Sequence, residues 1–328
     1  SWAAAVTLGD SAGAARWRDR ASDSMRMNFA QKLVKISLHS VTVGFPLTDA
    51  RWANETLRRD GATAQERTAA WLGERAVAFA EGRLVSFGGP GLEDNAWGTF
   101  NIVQQAVVEP PYRPEARAFL ARGVRARSQF PTGGVAVDWP PSRDCFGELF
   151  RVTTGDTSAT RQAIRRLREF ATLAAPPVAP DLWRPLEFRV CPLLLETLLE
   201  GGRDRSATSR LEALDRLMQD GPRWLSLGPP TAPTVAANWT IARLREAQGD
   251  IPAALAAIRR RESNYYPAYL WTLPAFLRQE GRLAALAGDT AGARRAYDHY
   301  LTLRTDPDPP FQPQRDSVLA ERTALGSR

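Results

Sequence analysis

Histidine, the side chain best suited to moving protons near neutral pH, occurs only twice in this chain of 328 residues, at His39 and His299. Neither has a second His, a Cys or a carboxylate at a metal-ligand spacing such as H-E-x-x-H. Asp298 precedes His299 on a stretch that also carries Tyr297 and Tyr300, and the two read as a surface pair. The glycine-rich piece Gly88-Gly89-Pro90-Gly91 lacks the Lys-Ser/Thr that a phosphate loop needs, and no G-x-G-x-x-G is present. Glu93 and Asp94 are adjacent, so on a helix they point in different directions and make no general acid and base pair. Cys145 and Cys191 lack C-x-x-C spacing. They read as small buried core residues, with a bridge between neighbouring hairpins as the alternative for an exported chain. These residues predict no catalytic centre, no cofactor and no metal site. An enzyme would need a compact cluster of titratable groups in a cleft.

The elements that would position any site are signalled far more strongly. A Gly-Asp pair recurs at Gly9-Asp10, Gly155-Asp156, Gly249-Asp250 and Gly288-Asp289, followed by an alanine-rich amphipathic run. Gly stops one helix because it tolerates the left-handed conformation, and Asp caps the next by accepting its unpaired N–H groups. Helices are predicted over 239–248, 251–261, from 268 or 274 to 287, and over 290–304. Upstream, helical pairs are predicted at 144–152 with 158–173 and at 192–200 with 206–219. Further helical patterning covers 29–40, 50–59, 64–82, 94–108 and 113–127. Breaks fall at 87–91, 128–143, 174–185 and 228–233, where Pro and Gly accumulate. The proline-rich 174–185 reads as a stiff linker.

The C-terminal spacing leads to a family. Asp250 and Asp289 are 39 positions apart, close to one helical-hairpin repeat. Gly281 sits at the small position where two helices approach, Ala293 at a buried alanine, and Tyr297 at the aromatic four residues later. Ala242, Ala254 and Ile258 take the corresponding places one unit earlier. Over 239–304 the chain resembles the tetratricopeptide repeat, with Ile258 in place of the usual aromatic and no first-helix Trp-Leu-Gly in order. The stretch from Gly281 to Leu301 also resembles repeat regions attached to bacterial serine/threonine kinases and transcriptional activators. No kinase signature accompanies it. The resemblance implies a sensing or docking part, with any catalytic part elsewhere.

Composition narrows the partners. The net charge is +7, but two lysines stand against 41 arginines, the skew a GC-rich genome produces. Acids interleave with the bases, as in Arg203-Asp204-Arg205 and Arg259-Arg260-Arg261-Glu262, so these charges read as solvated helix faces and no nucleic acid is expected. No run of eighteen apolar residues occurs, and no transmembrane segment is expected. The start, Ser1-Trp2-Ala3-Ala4-Ala5, reads as a hairpin that has lost most of its first helix. Most of the ten tryptophans lie among apolar neighbours and are expected in the core. Tyr265, Tyr266, Tyr269 and Trp271 form a denser cluster. They are either candidate partner-binding residues or the packing between the last two repeats.

The expected fold is therefore an all-α solenoid of antiparallel helical hairpins, irregular in its N-terminal half. One block covers 1–173, with a loop insertion near 128–143. A second covers 186–328 and ends in a capping helix over 314–324. The expected function is a protein-interaction scaffold that binds a peptide or partner protein in a helical-repeat groove. The alternative is a ligand-sensing regulatory domain of a larger bacterial signalling protein, with a pocket near the 128–143 insertion.

Overall fold

The computed structural model describes residues 47–61, 64–84, 103, 105–121, 145, 147–173, 184–200, 205–219, 232–260 and 267–326. Among them every regular element is helical and no strand occurs. The helices are α1 (Thr48–Asp60), α2 (Ala64–Glu81), α3 (Arg113–Ala121), α4 (Glu148–Thr153), α5 (Thr160–Leu173) and α6 (Arg184–Glu200). They continue with α7 (Arg205–Gln219), α8 (Ala232–Ala247), α9 (Ile251–Arg259), α10 (Pro267–Leu286), α11 (Thr290–Leu303) and α12 (Gln312–Ala324). His39, Gly9-Asp10, the glycine-rich 87–91 and the 128–143 insertion lie outside the described residues.

The Gly-Asp signal works as its chemistry requires. Gly155, Gly249 and Gly288 have φ of +94°, +81° and +79°, the left-handed region that glycine enters without strain. At each, the following Asp N–H bonds a carbonyl five residues back, on Arg151, Arg245 and Ala284, all at 2.9 Å. This closes the exposed carbonyls of the preceding helix. The Asp250 and Asp289 carboxylates then accept from the N–H groups of Ala253 (3.1 Å) and Gly292 (2.8 Å), capping α9 and α11. Asp156 instead accepts from the N–H and hydroxyl of Ser158, so α5 begins later, at Thr160.

By contact the chain forms two compact units, 1–85 with 269–328, and 86–268. In the first, α1 and α2 form a hairpin and α12 packs on α11. Gly281 of α10 lies under the Tyr297 ring; a Cβ there would come within 2.2 Å of it. Tyr297 and Ala293 are buried. The end of α2 is held by the segment after α11. The fully buried Arg304 donates to the carbonyl oxygens of Ala80 (3.0 Å) and Phe79 (3.2 Å) and stacks 4.6 Å from the Phe311 ring. A cation on the terminal carbonyls also suits the helix dipole. Asp308 completes the junction, accepting from Leu84 N–H (2.7 Å) and Arg83 (3.0 Å) while its own N–H reaches Gly82 O (2.9 Å).

In the second unit α6 is central, touching α4, α5, α7 and α8. Val190, Cys191, Leu194 and Leu195 are each fully buried and form one broad apolar face of this helix. It runs through Pro192, where the sequence suggested a helix start. Helices α8 and α9 form a hairpin in which Ala242, Ala254 and Ile258 are fully buried. Cys145 and Cys191 are buried as expected but are not free thiols: they form a disulfide, with Cα atoms 5.6 Å apart. The sequence favoured unbonded core cysteines because two are too few for a disulfide framework and they lack C-x-x-C spacing; helix packing brings them together across 46 positions.

Candidate functional site

A cleft of about 750 Å³ opens within the second unit. Its walls come from the end of α3 (Arg117, Leu120, Ala121), from α4 and the residue before it, from the turn at 154–159, and from Arg166 of α5. Ala121 and Gly147, both in the lining, are separated in sequence by residues 122–146. Phe150, Leu120 and Ala159 supply apolar wall, and Arg117, Arg151 and Arg166 supply charge.

The acids of the cleft are already engaged. Glu148 is buried; its Oε1 accepts from Arg151 at 3.1 Å and its Oε2 from the Thr160 hydroxyl at 3.1 Å. Asp156 sits at the exposed rim. Hydrogen bonds from the Ser158 hydroxyl and then its N–H hold this carboxyl below its usual range, so it remains an anion at neutral pH. Arg117 is exposed and has no ion pair among the described residues. Arg151, half exposed, uses one nitrogen on Glu148 and keeps further N–H donors for solvent or a ligand.

No protein-family model, curated protein or solved structure matches the chain.

A second polar cluster is structural in form. Asp215 of α7, 5% exposed, receives Arg245 of α8 at 3.1 Å and Arg260 just beyond α9. Arg260 also donates to Asn238 Oδ1 at 3.1 Å. One carboxylate thus ties three helices together within the second unit.

The sequence-selected residues are distributed as follows. Trp271 is 2% exposed in the first unit, its ring 4.7 Å from Phe79, so its indole is occupied in packing. Tyr269 lies on α10, and Tyr265 and Tyr266 fall outside the described residues. Asp298 is exposed and binds Arg322 of α12 at 2.8 and 3.4 Å, which makes it part of a surface ion pair on the side next to His299. Among the described residues no group of three His, Cys, Asp or Glu is placed to hold a metal. No helix among them is long and apolar enough to cross a membrane.

Two features escaped the sequence expectations. The cleft arginines span 117 to 166 and look like any others among 41, so only packing identifies them. The other is a match of form: Gly9-Asp10-Ser11-Ala12-Gly13 spells the G-x-S-x-G of a nucleophile elbow. That motif has chemical meaning only on a sharp strand-to-helix turn, and the five residues lie outside the described ones.

Proposed function

We propose that the chain is a protein-interaction scaffold, a solenoid of tetratricopeptide-like hairpins that binds a peptide or partner protein and performs no catalysis itself. The observation that carries this reading is the pair of hairpins α8–α9 and α10–α11. Their second helices are capped by Asp250 and Asp289, 39 residues apart, with the same glycine geometry before each cap. Repeated hairpins of this kind build extended surface rather than an enclosed reaction centre. The likeness of 281–301 to repeats found beside bacterial kinases and activators supports a docking role in signalling, with a protein rather than a nucleic acid as the partner.

The cleft favours a second reading, a ligand-sensing regulatory domain, because Ala121 and Gly147 in its wall flank in sequence the stretch that holds the expected 128–143 insertion. A pull-down from the native organism with the intact chain separates the two. Recovery of a defined protein partner supports the scaffold. Recovery of none, together with thermal stabilisation by a small molecule, moves the assignment to ligand sensing.

A further inference from the structure

We infer that the α3–α4–α5 cleft is a recognition site for a carboxylate carried on an apolar body. The inference rests on the reading of this chain as a recognition module and names what its second unit recognises.

The lining chemistry selects the ligand. Three arginines face two acids, leaving one net positive charge. Both oxygens of Glu148 are taken up by Arg151 and Thr160, and Asp156 is turned into its own loop by Ser158. The uncommitted charge is therefore that of Arg117, supplemented by the remaining donors of Arg151. A guanidinium offers a planar pair of N–H groups that matches a carboxylate edge to edge. A dianionic phosphate would also fit the fork but would bring twice the charge close to Glu148 and Asp156, whereas a monoanion balances the lining. Leu120 and Ala159, with the small exposed edge of the buried Phe150, provide apolar surface for the ligand's body, the combination of apolar wall and few placed polar groups typical of ligand pockets.

The wall that carries Arg151 is also anchored. Cys145 precedes Gly147 by two residues, and its bond to Cys191 fastens this turn to the buried face of α6. Glu148 then fixes one side of the Arg151 guanidinium, limiting the directions in which its free donors point. Such preorganisation lowers the ordering cost of binding.

The carboxylate has two possible sources, a free small acid or an acidic residue next to an apolar one in a partner's peptide. A ligand-observed NMR titration of the oxidised full chain tests the site, using phenylacetate, the uncharged phenylacetamide and inorganic phosphate. Phenylacetate is expected to bind at least tenfold more tightly than phenylacetamide and more tightly than phosphate. Arg117→Gln, an exposed position whose replacement leaves the melting temperature unchanged, is expected to remove the preference for the acid. Equal binding of acid and amide, tighter binding of phosphate, or a preference that survives Arg117→Gln overturns the inference. An end-blocked Asp-Phe dipeptide provides the second arm. Binding tighter than phenylacetate assigns the carboxylate to a peptide partner, and weaker binding assigns it to a free acid. A partner recovered by pull-down while no carboxylate binds would remove this site and leave the scaffold reading standing.

Discussion

Tyr297 shows how much one side chain can report. Its ring covers Gly281, and its hydroxyl donates to Glu321 of α12, which also accepts from Ser317 at 2.9 Å. Burial first, and then the bond to Glu321, raise this phenol well above its ordinary value. The folded chain therefore holds that proton where the unfolded chain releases it, from about pH 10 upward. Its contribution to stability is complete below that pH and declines above it. Melting temperatures measured from pH 9 to 11 should fall more steeply for the wild type than for Tyr297→Phe. Parallel curves would place the alkaline sensitivity elsewhere. Asp215 offers a test in the second unit. Asp215→Ala removes the carboxylate that Arg245 and Arg260, each 17% exposed, share. Loss of one partner from such a buried network costs about 3 to 5 kcal/mol, which a shift in the urea midpoint would reveal. The roles of Gly281, Ala293 and Tyr297 in packing were legible because spacing along a helix fixes them. The partners of Asp215, Arg245 and Arg260 were not, because long-range charge pairing leaves no periodic trace.

The helices were the most legible level, and their errors have a common cause. The sequence expectation opened α8 at 239 and α6 at 192, with proline taken as a break. The structure begins them at Ala232 and Arg184, each with a proline as its second residue, and α10 opens on Pro267 itself. A proline's missing N–H costs nothing in the first turn, where that group has no helical partner, and its fixed φ suits the helix. Proline therefore begins these helices as readily as it ends others. The Gly-Asp caps were read from composition alone because both residues act within a few positions of themselves. Asp250→Ala and Asp289→Ala should each lower stability by about 1 kcal/mol, measured by thermal unfolding. Gly82 escaped the pattern although its φ is +75° and Arg83 N–H closes on Ala78 O at 2.8 Å. Here the residue after glycine is not an Asp cap, because the described chain continues into the junction with Asp308 rather than into another helix at that point.

At the scale of the whole molecule, the prolines of 174–185, read in the sequence as a linker, say nothing about which hairpin faces which, and Pro185 lies in the first turn of α6. Contact joins 47–84 with 269–326, with Arg304 and Asp308 reaching residues more than 220 positions away. The second unit has its own long closure in the disulfide. Cys145→Ser should destabilise that unit by about 2 to 4 kcal/mol, as expected for a bond closing a loop of this order. Unfolding of the oxidised chain with and without reductant checks this, and Cys145→Ser should be indifferent to the reductant. Pairing between the two ends of the chain also sets an order of events during synthesis. The end of α2 at Glu81 is made 190 residues ahead of Trp271 and 223 ahead of Arg304, which at about 5 to 20 residues per second is a delay of roughly 10 to 45 s. For that interval Phe79 has no indole against it and the last carbonyls of α2 have no guanidinium. The nascent hairpin thus has that interval in which to engage a chaperone before its own C-terminal partner arrives.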